Sequence, residues 1–172
     1  MINETVNSKL DFLVSEAFKC NRILDRGMSL LNVQFRLLKT AKVLHPNFAH
    51  HFLEMADFIS NFQGDMGMLT IYGDTPVADY NVSNYIELFE MFLDCFVKYK
   101  DEIEDVIDFC SSEKDHMTKS TLMKYLLDFK PYIVSIVNVL DAAKDYGTDA
   151  LNMRLFDDEI EAFLVIPIVG DN

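Results

Sequence analysis

The chain has 172 residues, half of them hydrophobic, and a formal net charge of −13. This length is enough for one domain with a sizeable core, which we expect to span residues 1–172. The acidic excess and the lack of a basic tail argue against nucleic acid as a partner, because phosphate binding depends on Lys and Arg. No apolar run approaches the roughly 18 residues that a membrane-spanning helix needs, so no membrane partner is expected.

The cysteine content indicates a reducing compartment. Cys20, Cys95 and Cys110 are not arranged as CxxC or CxxxC, so a thiolate metal site is not indicated. An odd number of cysteines without a signal peptide predicts a cytoplasmic protein. Cys20 and Cys110 lie within helical patterns, where we expect them to act as small buried hydrophobic residues.

Two amphipathic helices are predicted in the first part of the chain. The first begins after Asn7-Ser8, a plausible N-cap, and its apolar stripe runs from Leu10 to Leu38. A turn is predicted at residues 45–47, since Pro46 disfavours helix at the residue before it. The second helix follows, and its apolar residues are three or four positions apart: Phe48, Phe52, Met55, Ile59, Phe62 and Met66.

Two more helices and a tail are predicted in the rest of the chain. The third covers about 83–110 and the fourth about 118–145. Residues 155–164 are expected to form a short fifth helix or a tail, and the apolar segment 165–169 to dock on this bundle or on a neighbouring subunit. Four long helices joined mostly by short links predict an all-α four-helix bundle. The longest link, around 73–82, leaves open whether the connection crosses the full length of the bundle.

One stretch of the second helix is rich in possible metal ligands. It contains His50, His51, Glu54 and Asp57, and imidazole and carboxylate groups are common ligands of divalent transition metals. At about 100° per residue, His50, Glu54 and Asp57 point away from the apolar stripe, and His51 lies on its flank. Three interpretations are open: a solvated surface, a metal site that a second subunit completes, and a subunit interface without metal.

Asp25 is the acidic residue predicted to lie nearest the interior. It flanks the part of the first helix that contains Met28 and Leu31. A buried carboxylate needs a partner, and Arg, Lys, a tyrosine hydroxyl or a metal ion could supply it. Asp25 is therefore either a hydrogen-bonded structural carboxylate or the remnant of a metal site. The candidate tyrosines are Tyr85, Tyr99 and Tyr125.

Five short segments carry a family resemblance, and together they are spread over most of the chain. They are Asp25–Leu31, His45–His51, Asn61–Pro76, Tyr125–Asp128 and Leu155–Glu159. These segments resemble, in order, the first helix, the entry to the second helix, the start of the crossover loop, the fourth helix and the stretch after it in the ferritin superfamily. The superfamily is taken here to include ferritins and the Dps-type mini-ferritins.

The resemblance implies a ferritin-like homo-oligomer that binds or stores iron or another divalent metal, with an outward or inter-subunit site at His50, His51, Glu54 and Asp57. A ferritin-type di-iron centre also uses Glu-x-x-His motifs within its helices. The four predicted helices contain none, since Glu113 and His116, which have this spacing, lie in the link between the third and the fourth. A classical ferroxidase centre within one subunit is therefore not expected, and enzymatic activity is expected only if a degenerate or inter-subunit site is completed. The alternative is a bundle that has lost metal binding and acts as an assembly or interaction protein.

Overall fold

The computed structural model describes residues 3–169, and within them the chain is helical, without β-strands. The predicted all-α class is confirmed. None of the helices in this range combines the length and the apolar character that crossing a membrane requires. The α-helices are α1 (Glu4–Leu30), α2 (Leu38–Leu44), α3 (His50–Asp65), α4 (Tyr85–Ser112), α5 (His116–Tyr146) and α6 (Ala150–Glu159). A π-helical turn (Leu31–Phe35) continues α1, and a second π-helical turn (His45–Ala49) joins α2 to α3. A 3₁₀ turn (Ile160–Phe163) follows α6.

Four helical rods form the bundle. They are α1, the continuous rod of α2 and α3, α4, and α5. α1 packs against both α3 and α4, and α4 packs against α5. α6 overlaps the predicted fifth helix (155–164) but begins earlier, at Ala150, and it packs against α5 and α2. Each rod turns its apolar stripe inward, which produces one continuous hydrophobic core.

The link between α3 and α4 runs along the whole of α1, so the connection is a crossover. α3 ends beside the start of α1, and α4 begins beside the end of α1, which makes α3 and α4 parallel. This settles the topology that the sequence left open. Hydrogen bonds pair the link with α1 and its π-helical continuation in chain order: Asn7 with Leu69 (3.0 Å), Asp11 with Ile71 (2.9 Å), Ile23 with Tyr80 (2.6 Å) and Gln34 with Val82 (3.0 Å).

The turn after the first rod lies at Arg36, and the prediction of a turn at residues 45–47 is wrong. Arg36 adopts a left-handed backbone conformation, with φ of 58°, and this ends the first rod. Pro46 lies at the start of the second π-helical turn. A proline at the start of a helical turn is tolerated, because its missing N–H is not needed there. The second rod therefore begins at Leu38 and passes through Pro46.

Gly27 allows α1 and α4 to approach each other closely. It lies within α1, and a Cβ atom at this position would overlap the ring of Phe92 on α4. Phe92 is fully buried, so its ring has little room to move. Cys20 of α1 and Cys95 of α4 lie at the same interface, where the Cys20 thiol contacts the Cys95 carbonyl.

The apolar C-terminal segment docks on its own bundle, one of the two predicted possibilities. The Val165 N–H donates to the Ser135 hydroxyl (3.0 Å), and the Val169 N–H donates to Asn47 Oδ1 (2.8 Å). The side chain of Ile166 is buried. The segment thereby covers the junction between α5 and the second π-helical turn.

Candidate metal centre

The second π-helical turn brings two imidazoles together. The His50 N–H donates to the His45 carbonyl, which is the i→i+5 bond of a π-helix. The two rings are in contact, with centroids 4.4 Å apart. Nε2 of His45 also lies 3.1 Å from a carboxylate oxygen of Asp25 on α1. We call Asp25, His45 and His50 the histidine–aspartate group.

His45 is the member of this group that the sequence did not suggest as a ligand. Residues five apart on a regular α-helix are separated by about 140° around the axis, so a regular helix would not bring His45 and His50 together. The wider π-helical turn places both on one face. A proline one residue after a histidine, within an otherwise helical stretch, is the only sequence signal that could have indicated the irregular turn.

Asp25 is half-exposed, with 44% of its side-chain surface accessible, and its partner is His45. Two of the three candidate tyrosines bond elsewhere. Tyr85 donates to the Gly147 carbonyl (2.7 Å), and Tyr99 donates to the Leu13 carbonyl (3.2 Å).

His51 lies on the flank of the stripe, as predicted, and is mostly covered by aromatic rings. Its ring stacks on Tyr132, with centroids 3.5 Å apart, and 13% of its side chain is exposed. Its Nδ1 is 3.3 Å from the Glu54 carboxylate. Burial lowers the pKa of His51, and the bond to Glu54 partly offsets this effect. Burial therefore favours the neutral form of the imidazole.

The structure does not join the five predicted residues into one site. Asp25 and His50 meet at His45, whereas His51 contacts Glu54. Asp57 is exposed, and its backbone carbonyl accepts a hydrogen bond from Ser60. Across residues 3–169, no three His, Cys, Asp or Glu side chains are placed so that they could enclose a metal ion.

Aromatic rings fill the part of the bundle where metal ligands from facing helices would meet. The ring of Phe52 lies 4.8 Å from Phe96, 5.5 Å from Tyr99 and 6.1 Å from Phe129, measured between centroids. All four are essentially inaccessible to solvent. A carboxylate-bridged iron centre does not fit this interior, since it needs inward-facing acids and histidines. The buried polar side chains in the described range are all uncharged: Asn7, Asn21, Thr40, Asn47, Gln63, Thr118 and Ser135.

Comparison with known proteins finds similarity in structure but no match in sequence. No protein-family model and no curated protein sequence matches the chain. A ferritin from Chlorobium tepidum superposes with a TM-score of 0.77 and 21% identity, over 94% of this chain and 98% of that one. A humanized archaeal ferritin gives a TM-score of 0.81 and 16% identity, over 97% and 100%. An open-pore ferritin from the hyperthermophilic archaeon Archaeoglobus fulgidus gives 0.78 and 16%, over 93% and 97%. The predicted resemblance is thus confirmed at the level of structure: the chain has the ferritin-like fold.

Proposed function

We propose that the chain is a self-associating, ferritin-like subunit that has no iron-oxidising centre within its own bundle. The observation that carries this proposal is the aromatic interior formed by Phe52, Phe96, Tyr99 and Phe129. Packed phenyl rings offer no ligand to Fe(II), and they stabilise the bundle without a metal ion. The role of such a subunit is assembly, the alternative interpretation of the sequence.

Exposed apolar side chains along the crossover support self-association. Leu69 is 87% exposed and Val77 is 91% exposed, and Ile71 and Tyr72 are also well exposed. Large apolar side chains exposed along one segment are typical of protein interfaces. We call these four residues the crossover patch, and we propose that it packs against a second copy of the chain.

Measuring molar mass tests this assembly. Size-exclusion chromatography with light scattering is expected to give an oligomer for the wild type, and a smaller species for a Leu69→Asp/Val77→Asp double variant. Leu127→Asp is the matched control, because Leu127 is similarly exposed (71%) but lies on α5. A wild type that is monomeric at every concentration would contradict the proposed assembly.

Fe(II) oxidation tests the absence of an internal centre. Fe(II) added in air to the protein is expected to oxidise at the rate seen with an unrelated acidic protein at the same concentration. The reason is that no carboxylate or imidazole in the described interior is available to bind a pair of iron ions. A rate several-fold above this background would show that the chain does have an oxidising centre.

A second candidate function is binding of iron or another divalent metal at the histidine–aspartate group. The observation that favours it is the 3.1 Å contact between His45 and Asp25, beside the ring of His50. Both residue types are ligands for Fe(II) and Zn(II). The three side chains are not placed as a ready ligand set, so binding a metal ion requires them to reorient and requires water or side chains of a second copy to complete the coordination. His51, Glu54 and Asp57 are a weaker choice, because His51 is largely covered by Tyr132.

Calorimetric titration distinguishes this metal site from an acidic surface that attracts cations non-specifically. We expect Zn(II), or Fe(II) without oxygen, to bind the wild type and to bind a His45→Ala/His50→Ala variant far more weakly. His116→Ala is the control, because His116 is an exposed histidine at the start of α5. Equal binding to the double variant would exclude the histidine–aspartate group as the site.

A further inference from the structure

Two of the three cysteines meet across the interface between α1 and α4. Cys20 is 6% exposed and Cys95 is 8% exposed. The Cys20 thiol lies 3.9 Å from the Cys95 carbonyl oxygen, which places the two cysteines next to each other across the interface. Both are free thiols, as is Cys110 near the other end of α4.

We infer that Cys20 and Cys95 form a redox pair that hydroperoxides convert to a disulfide between α1 and α4. A disulfide needs Cα atoms about 4.4–6.8 Å apart and Cβ atoms directed towards each other. A Cys20 sulfur that lies 3.9 Å from the Cys95 carbonyl oxygen, on two packed helices, is compatible with this arrangement. Gly27 lets the same two helices pack closely, because its missing side chain leaves room for the Phe92 ring. The disulfide can therefore form without separating the helices.

The surroundings of the two sulfur atoms give them different roles. The interaction with Cys20 lowers the pKa of the Cys95 thiol, and the ammonium groups of Lys98 and Lys19 act in the same direction, whereas burial and the Asp94 carboxylate only partly offset the effect. The same interaction and burial raise the pKa of Cys20. Because the thiolate is the reactive form, Cys95 is the attacking residue and Cys20 the resolving one.

The reaction has two steps. The Cys95 thiolate attacks one oxygen of the hydroperoxide, an S–O bond forms, the O–O bond breaks, and the departing oxygen leaves as water or alcohol after taking a proton. The product is a sulfenic acid on Cys95. The sulfur of Cys20 then attacks the Cys95 sulfur, loses its proton and displaces hydroxide, which leaves as water. In total, two thiols and one hydrogen peroxide give one disulfide and two water molecules.

Thiol counting after oxidation tests the pair. Folded wild type is treated with hydrogen peroxide, quenched and denatured, and its thiols are titrated. We expect the count to fall from three to one, and non-reducing peptide mapping to find Cys20 joined to Cys95. Cys110→Ser is the matched control, since it replaces the buried thiol outside the pair and is expected to lose both remaining thiols. Cys20→Ser and Cys95→Ser are each expected to form no intrachain disulfide.

Trapping the intermediate tests the assigned roles. In Cys20→Ser, dimedone is expected to label Cys95 after peroxide treatment. In Cys95→Ser it is expected to leave Cys20 unlabelled. Alanine replacements at both positions provide a second set of variants if either serine variant fails to fold. Three intact thiols in the oxidised wild type, or a disulfide that includes Cys110, would overturn the proposal.

A physical readout follows from the cross-link itself. A disulfide restricts the unfolded chain, so the oxidised wild type is expected to melt at a higher temperature than the reduced protein. Dithiothreitol should reverse the difference. Cys110→Ser should show the same rise, and Cys20→Ser should show none. Equal melting temperatures of fully oxidised and reduced wild type would also count against a bond at this interface.

Discussion

The interior of the bundle and the outer surface around His45 differ in where ionisable groups lie. Inside, Phe52 and its neighbouring rings are accompanied by neutral polar groups, such as Asn21, which donates to the Ala49 carbonyl (2.9 Å). Outside, Asp25, His45 and His50 form a contact group. Because the buried polar side chains of the described range are uncharged, the fold needs no metal ion to neutralise buried charge. In the metal-binding proposal, binding by a single copy is therefore confined to the surface.

Removing a central ring is expected to have the largest effect on stability. Phe129 is 1% exposed and contacts the rings of Phe52, Phe96 and Tyr99. Phe129→Ala should lower the free energy of unfolding by about 3–5 kcal/mol, because it removes buried apolar surface and leaves a cavity. Urea denaturation followed by circular dichroism, at one protein concentration, measures this change.

Phe12→Ala is the control for the central ring. Phe12 is 44% exposed, and its replacement should change the free energy of unfolding by less than about 1 kcal/mol. Equal stability of the two variants would contradict the stabilising role of the aromatic interior.

The interior could largely be predicted from the sequence. Phe52, Met55 and Ile59 recur at helical spacing and are buried, as expected. Periodicity reports which residues face inward, because burial of one face is what makes an amphipathic helix stable. The prediction that the inner positions of the second helix carry phenylalanine and methionine instead of metal ligands follows directly from this pattern.

The surface group and the thiol pair could not be predicted in the same way. His45 meets His50 only because the helix widens between them, and a constant 100° step cannot represent that change. Cys20 meets Cys95 because α1 packs on α4 at a particular height. Spacing along one chain does not encode the relative height of two helices, so neither contact was visible in the sequence.

Glu102 is a partly buried carboxylate in a protein whose fully buried polar groups are uncharged. Burial raises its pKa to about 7, and the neighbouring Glu16 carboxylate acts in the same direction. Between about pH 4.5 and 7 the folded chain keeps a proton that the unfolded chain releases, so this residue lowers stability as the pH rises through that window. Above about pH 7, Glu102→Gln should stabilise the protein by on the order of 1 kcal/mol, once solvent screening is allowed for.

Thermal unfolding of wild type and Glu102→Gln at about pH 5 and about pH 8 measures this effect. The gain in melting temperature is expected at the higher pH and should nearly vanish at the lower one. Glu104→Gln provides the control, because Glu104 is exposed and pairs with Lys100 (2.9 Å). A gain for Glu104→Gln of the same size and pH dependence would mean that general charge repulsion is the cause.

His51 lies at the boundary of the two regions, and a smaller pH effect is expected there. Burial lowers its pKa, so the unfolded chain takes up a proton before the folded chain does. His51 therefore reduces stability as the pH falls below about 6.5, the usual histidine pKa. NMR titration of the ring should show a pKa below this value. Glu54→Gln should lower it further, since the Glu54 carboxylate favours the protonated imidazole.

The matching control for His51 is His116, which is exposed at the start of α5. Its ring signals should not respond to Glu54→Gln. A pKa of His51 that rises in Glu54→Gln would contradict the 3.3 Å contact between the two side chains.

The smallest effect is expected at the histidine–aspartate group itself. The side chains of His45 and Asp25 are 46% and 44% exposed, and ion pairs at such sites contribute about 0–1 kcal/mol. A double-mutant cycle of Asp25→Asn and His45→Gln, measured by urea denaturation without metal, should give a coupling energy within that range. A coupling energy above about 2 kcal/mol would show that the pair stabilises the fold, which would contradict the view that only the interior does so. A weak coupling leaves both side chains free to exchange their mutual contact for a metal ion at little cost, which is the property that a surface metal site requires.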